Sequence, residues 1–230
     1  MSELEGLRAK WDEVLEAVDR AAKRSARPVD AVKILPVSKG QSIAALEAAL
    51  ALPRFPPRFG ENYFEELEAK AAHFPSSVEW HYQGRLQSRK IPGVLELVTV
   101  LQTVARAKEV EVMAKGSRKP GFGFFVQVNV SSEDQKNGCP TSELPLLLER
   151  IEALGLSSAL KGLMTLPSDL EIVGERRLRQ EFSALRDLRD RHLPGGELSM
   201  GMSHDFEIAI EEGSDWVRVG SRIFGARSTR

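Results

Sequence analysis

The sequence predicts an α/β fold: a single (β/α)₈ TIM barrel with an extra N-terminal helix. Three observations support this. Eight short apolar runs alternate with amphipathic helical stretches, and alternating β and α units imply parallel strands joined by helical crossovers. The first strand is followed by Val37-Ser38-Lys39-Gly40-Gln41-Ser42. This is not the Gly-rich dinucleotide loop of an open doubly wound sheet, the competing architecture. Finally, the 230 residues contain no internal repeat, low-complexity tract or linker, so one barrel domain over 1–230 is expected.

The elements follow in order. Leu4, Leu7, Trp11, Val14, Leu15 and Val18 recur at helical spacing and form one apolar stripe. Ser2 offers an N-cap and Pro28 lies beyond the stop, so 1–26 reads as a helix packed on the barrel. Strands are expected near 33–38, 57–60, 78–83, 97–101, 123–130, 160–166, 197–201 and 216–220. Helices are expected over 42–51, 62–73, 86–93, 104–115, 142–154, 173–192 and 204–212. Ser42 precedes Ile43, Leu46 and Leu50, Thr141 precedes Leu144, Leu147, Leu148, Ile151 and Leu154, and Gly155 supplies a stop. Leu178, Phe182, Leu185 and Leu188 mark the longest helix. Two features cut against the pattern. Pro36 removes a ladder donor inside the first strand, and the Pro-rich stretch 52–57 blurs the start of the second.

Composition narrows the function. There are 32 basic and 33 acidic residues, a formal net charge of −1, so no field draws nucleic acid or an anionic membrane to the surface. With one cysteine, Cys139, an intrachain disulfide and a Cys-rich metal site are excluded. No apolar run approaches membrane-spanning length. The acid-rich N-terminus resembles neither a secretory signal nor a transit peptide. A cytoplasmic protein is expected, and a monomer, since no long coiled-coil pattern is present.

Barrel enzymes and binders place their sites at the C-terminal strand ends. Lys39 ends the first strand on the face of Leu35 and Val37. If that face points inward, a desolvated amine there suits Schiff-base chemistry; otherwise Lys39 is a solvated strand-end lysine. Arg218 shares a face with Gly220, opposite Val217 and Val219. An inward arginine needs acceptors, either a structural salt bridge or a ligand. Ser203 follows the seventh strand and Gly220-Ser221 the eighth, where barrels often hold phosphate; Ser203 is equally suited to capping the helix of Phe206 and Ile210. Asn62 either contacts a ligand or caps the next helix. His81 alternates away from Trp80 and Tyr82 and reads as a core histidine with a satisfied hydrogen bond. His73, His192 and His204 show no metal-ligand spacing, and no Walker loop, Gly-x-Ser-x-Gly elbow or His-Glu-x-x-His motif occurs.

Several segments, in this order and spacing, resemble the YggS/PROSC family of pyridoxal 5′-phosphate (PLP) homeostasis proteins. They are Val37-Ser38-Lys39, Phe59-Gly60-Glu61-Asn62-Tyr63, Trp80-His81, Gly84-x-Leu86-Gln87-Ser88-x-Lys90, Val128-Asn129-Val130-Ser131, Lys136-Asn137-Gly138, Gly162-Leu163-Met164, Leu198-Ser199-Met200-Gly201-Met202-Ser203 and Val217-Arg218-Val219-Gly220-Ser221-Arg222-Ile223-Phe224-Gly225. The last two are long and specific. The resemblance implies a barrel like the N-terminal domain of alanine racemase, with PLP held as a Schiff base on Lys39. It implies phosphate contacts from Ser203, Gly220 and Ser221, Arg218 at the pyridine nitrogen, and Asn62, Met200 and His81 near the cofactor. The chain departs from the family pattern at Gly40, where Thr is usual, at Arg85 and Arg89, where Pro and Asn are usual, and in the Pro-rich stretch before Arg58. These departures bear on surface and partner contacts more than on the cofactor.

The resemblance has a chemical consequence. An arginine keeps its proton, so it donates to the pyridine nitrogen and leaves that atom unprotonated, a poorer electron sink. Racemisation also needs a second acid/base on the opposite substrate face. Only Tyr63 and Tyr82 are available, strand parity turns Tyr82 outward, and the chain ends at Arg230 soon after the eighth strand. The expectation is a PLP-binding protein without established catalysis. It stores or delivers PLP, possible acceptors being PLP-dependent apoenzymes, and buffers the free aldehyde. The competing expectations are a low-activity PLP-dependent amino-acid racemase and an interaction module that binds no cofactor.

Overall fold

The computed structural model describes residues 3–131, 133 and 136–225. In chain order the elements are α1 (Glu3–Arg24), β1 (Lys33–Pro36), α2 (Ile43–Leu50), β2 (Arg58–Glu61), α3 (Phe64–His73), β3 (Glu79–Tyr82), α4 (Ile91–Leu97), β4 (Val100–Val104), α5 (Ala107–Lys115), β5 (Gly123–Asn129), β6 (Cys139–Pro140), α6 (Leu144–Ala153), β7 (Leu160–Met164), α7 (Leu170–His192), β8 (Glu197–Met202), α8 (Phe206–Glu211), β9 (Trp216–Val219) and α9 (Ser221–Phe224). The strands pair in parallel in the order β1-β9-β8-β7-β5-β4-β3-β2. The ring closes between β1 and β2 through a bridge from Val37 to Gly60 and a Ser38 N–H donating to the Gly60 carbonyl at 3.0 Å. The fold is therefore a (β/α)₈ barrel and not an open sheet. The two-residue β6 pairs with β5 outside this ring.

Local chemistry explains the boundaries. Ser42 caps α2 by accepting from the Ala45 N–H, and Gly155, at φ +69°, follows α6. Pro36 closes β1 opposite Val219, and the Val219 carbonyl is taken up by the Val37 N–H at 2.8 Å. The missing donor of Pro36 thus leaves that carbonyl bonded. The fourth strand begins at Val100 rather than near 97, because Leu97 still belongs to α4. The apolar run 97–101 carries no periodic break where helix passes to strand. Likewise α4 begins at Ile91, not 86, with Pro92 in its first turn, a position where a missing N–H costs nothing. The longest helix starts at Leu170 behind the Asp169 cap and is kinked at Gly174, φ +73°. The proposed Ser2 cap lies outside the described residues.

The core has two layers. The outer one, between sheet and helices, contains Phe59, Trp80, Leu101, Phe124, Leu163, Leu198 and Val217. The inner one, Leu35, Val100, Phe125, Met164 and Trp216, plugs the barrel. Strand parity produces this division. Gly162 is obligatory, because a Cβ there would lie 1.8 Å from the Glu197 carbonyl oxygen. His81 sits in the plug, its ring 5.1 Å from Trp216. Its Nδ1 is 3.1 Å from the Gln102 amide nitrogen, while its Nε2 finds no partner among the described residues. The expected hydrogen bond is thus made at one ring nitrogen only. Burial first, and the charges of Arg58 and Lys161 second, push its pKa down to about 3.

Helix α1 presents Val14, Ala17, Val18 and Ala21 to the core. Trp11 is 1% exposed, lies 4.7 Å from the Phe55 ring and donates its indole N–H to the Pro53 carbonyl. Arg24 extends the contact by pairing with Glu207 and Glu211 of α8.

Two outcomes follow from this packing. If α1 and the barrel unfold as one unit, Trp11→Ala should lower the unfolding free energy by about 3–5 kcal/mol in a denaturant titration; an unchanged main transition would show that α1 folds separately. His81 stays neutral in the folded state, whereas the unfolded chain takes up its proton below the ordinary value of 6.5. Its contribution to stability is therefore present above pH 6.5 and lost as pH falls toward about 3, by at most about 1.4 kcal/mol per pH unit. His81→Gln should flatten the stability profile across that window, and profiles of equal slope would contradict the assignment.

Candidate functional site

A cavity of about 420 Å³ opens at the C-terminal ends of the strands. It is lined by Lys39 after β1, Asn62 after β2, Gln83 after β3, Leu166 after β7, Met202 and Ser203 at the end of β8, and Arg218, Gly220 and Ser221 at the end of β9. A second cavity, about 470 Å³, lies at the opposite end of the barrel between α1 and the starts of β1 and β2. The first gathers six residues singled out by the sequence. It is also at the end where (β/α)₈ barrels build their sites.

Arg218 dominates the electrostatics. Val217 and Val219 pack outward in the helix-facing core, which turns Arg218 inward, where it is 2% exposed. One guanidinium nitrogen donates to the Ser199 hydroxyl at 3.0 Å and the other to the Thr165 carbonyl at 2.8 Å. Burial pushes its pKa down to about 10, with Asp205 acting in the opposite direction, so it remains a cation at neutral pH. Among the described residues no carboxylate forms a salt bridge with it. The structural ion pair considered from sequence is therefore not what is found. A buried guanidinium held by two neutral oxygens is a fixed donor beside a cavity.

Ser203 and Gly220 are bound to each other: the Gly220 N–H donates to the Ser203 hydroxyl oxygen at 3.1 Å. That leaves the Ser203 hydroxyl proton for another acceptor, and it engages the Gly220 N–H expected to meet an anion. Ser203 does not cap α8, whose cap position is Asp205. A Cβ on Gly220 would lie 3.1 Å from the Val37 carbonyl oxygen, so glycine permits the ends of β1 and β9 to approach. Ser221 opens α9, whose Ile223 and Phe224 N–H groups both donate to the Gly220 carbonyl at 2.9 Å, so the helix start offers the N–H groups of Ser221 and Arg222.

Asn62 does not cap α3; Tyr63 holds that position without a side-chain bond. The Asn62 side-chain oxygen is buried and has no partner among the described residues, although its residue lines the cavity. Lys39 is half-buried in the turn after β1. Its neighbours are held by a charge cluster invisible in the sequence pattern. Ser38 donates its hydroxyl to Glu61 at 2.6 Å, Lys70 donates to the Ser38 carbonyl at 2.8 Å and to Glu61 at 2.6 Å, and the Gly40 N–H donates to Glu66 at 2.8 Å.

Two expected residues are not at the cavity. Met200 is fully buried in the outer core with Leu198, on the face of β8 opposite Ser199. Met202, two positions on, lines the cavity instead. His81 lies below it, in the barrel plug. Sequence reading missed Gln83, Leu166 and Met202 as lining residues and Thr165 as an anchor. The end position of Thr165 after β7 was the available signal.

The donor set fits a phosphorylated pyridine aldehyde. It offers an amine at one strand end, hydroxyls and helix N–H groups near another, and a fixed guanidinium between acceptors. The orphaned Asn62 oxygen marks an incomplete polar lining.

Comparison with known proteins places these features in a family. Residues 12–228 match the family described as alanine racemase, N-terminal domain. The pyridoxal phosphate homeostasis protein of Pseudomonas aeruginosa is 36% identical over 219 residues, covering 93% of each chain. That of Escherichia coli K12 is 34% identical, covering 94% of each. PipY of Synechococcus elongatus PCC7942, solved with PLP bound, superposes with a TM-score of 0.71 at 28% identity over 91% of this chain and 100% of that one. Alanine racemase of E. faecalis shares the fold at a TM-score of 0.65 and 11% identity, with 92% of this chain matching 58% of that one. The chain thus belongs to the alanine racemase N-terminal domain family and, within it, to the pyridoxal phosphate homeostasis proteins.

Proposed function

We propose that the chain binds PLP covalently through Lys39, as a Schiff base, and serves intracellular PLP homeostasis by storing or delivering the cofactor. The observation that carries this reading is the buried Arg218 cation beside the cavity, held by neutral oxygens and lacking a carboxylate partner among the described residues. A pyridine nitrogen is an acceptor of the right kind for it. Bound PLP supplies an aldehyde carbon that condenses reversibly with an amine. Ser203, Ser221 and the N–H groups of Ser221 and Arg222 at the start of α9 hold the phosphate by charge-assisted hydrogen bonds, and Gly220 keeps that segment close to the Lys39 turn. The relatives bear the name of homeostasis proteins and PipY was solved with PLP, which supports the same ligand here.

The site is built for retention more than for turnover. Arg218 donates to the ring nitrogen and so keeps it unprotonated, which weakens carbanion stabilisation. A racemase needs an acid/base on each substrate face. Tyr82 packs in the outer core, its pKa raised by burial, Tyr63 is 54% exposed, and neither lines the cavity. The reading extends to a cytoplasmic monomer that folds as one domain and passes PLP to apoenzymes. No helix among the described residues is long and apolar enough to cross a membrane.

Lys39→Ala should abolish the imine absorption band of the PLP-loaded protein while its circular dichroism stays that of the parent. A surviving band would move the covalent link to another lysine. Ser203→Ala should weaken PLP retention by about 1–3 kcal/mol, the range for a hydrogen bond to a charged group and its loss. Equal affinity in equilibrium dialysis would remove Ser203 from the phosphate contacts.

A further inference from the structure

The seam between β1 and β2 is the slightest in the barrel, since it consists of the Val37–Gly60 bridge and the Ser38–Gly60 bond and not a full ladder. The turn carrying Lys39 leaves the barrel at this seam. Across it lies a buried charge cluster. The Lys70 side chain, 6% exposed, reaches from α3 to the Ser38 carbonyl at 2.8 Å, to Glu61 at 2.6 Å and to Glu66 at 3.1 Å. Glu61, fully buried, also accepts the Ser38 hydroxyl, and Glu66 accepts the Gly40 N–H. The residues immediately before and after Lys39 are therefore tied to one cation through two carboxylates. Burial raises the Glu61 pKa while Lys70 and the Ser38 hydroxyl lower it, as expected for a carboxylate kept inside by its partners.

Burying an ammonium and a carboxylate is costly unless the geometry repays it, and an apolar contact would join α3 to the sheet without that penalty. The directional bonds accomplish something an apolar contact would not. They fix the peptide units on both sides of Lys39, while Gly40, at φ +72°, reverses the chain. We propose that Lys70, with Glu61 and Glu66, is a positioning residue that aims the Lys39 amine at the cofactor aldehyde. This rests on the reading that Lys39 makes the covalent link.

The test compares two ligands. PLP can condense with a lysine. Pyridoxamine 5′-phosphate has the same ring and phosphate but is itself an amine and cannot. Lys70→Met and Glu66→Ala should reduce the equilibrium fraction of PLP trapped by borohydride at Lys39, with the apparent constant falling about tenfold to a hundredfold, as misplacement of a reacting group does. Binding of pyridoxamine 5′-phosphate should stay within about twofold, the scale of a change below 0.5 kcal/mol. Glu66→Gln retains an oxygen that can accept the Gly40 N–H and should recover most of the loss. Because Glu66 is partly exposed, the Ala and Gln pair remains informative if Lys70→Met fails to fold. Equal losses for both ligands would reduce the cluster to general structural support and overturn the proposal, as would unaltered trapping in every variant. Trapping of the parent protein at a lysine other than Lys39 would instead overturn the underlying reading of the site.

Discussion

A full positive charge inside a closed barrel is the constraint on which the rest of this structure depends. Arg218 reaches the interior because the β9 alternation sends Val217 and Val219 outward. It is held there by a hydroxyl and a carbonyl, neither of which neutralises it. Left to itself, such a group is a liability. It lies at the edge of a cavity, with Ser203, Ser221, Asn62 and Lys39 around the same opening. On the proposed reading an acceptor ring would complete this donor, and the same geometry would disfavour protonation of that ring.

The barrel makes this placement possible by separating its interior into a dry lower part and a polar upper one. Leu35, Val100, Phe125, Met164 and Trp216 fill the lower part. His81 remains neutral among them because burial outweighs its basicity. Above this plug the inward positions turn polar at Gln102, Gln127, Ser199 and Arg218. Close approach of backbones accomplishes the rest. Gly162 lets β7 lie against β8, and Gly220 lets the end of β9 meet the end of β1. Lys39 and the Gly220–Ser221 segment, separated by most of the sequence, thereby share one opening.

Much of this was legible because strand parity holds along most of the strands, with β8 shifting register between Ser199 and Met202. The alternation in Trp216-Val217-Arg218-Val219 already assigned Arg218 to the inner face, and the eight strand positions follow from apolar runs separated by helical spacing. The same parity applied to Ser199-Met200 would have sent Met200 outward. The expectation that it neared the cofactor came from family resemblance, which records proximity without direction. The α4–β4 boundary was illegible because one apolar run serves a helix end and a strand start. The Lys70 cluster was illegible for a different reason. Glu65-Glu66-Leu67-Glu68-Ala69-Lys70 reads as an ordinary charged helix, and only the barrel seam determines that Lys70 turns in to meet Glu61 and Ser38. The Ser203–Gly220 bond was illegible too, since it joins the ends of β8 and β9, which the parallel pairing of those strands brings together.

Arg218 is proposed to complete its hydrogen bonding at the ring nitrogen of the bound cofactor and to hold that nitrogen unprotonated. Nitrogen-15 NMR of the protein loaded with ring-labelled PLP tests it most directly. The expected result is the chemical shift of an unprotonated, hydrogen-bonded pyridine nitrogen that stays constant from mildly acidic to neutral pH, and a shift change in Arg218→Met. The shift of a pyridinium in the parent protein at neutral pH would contradict it.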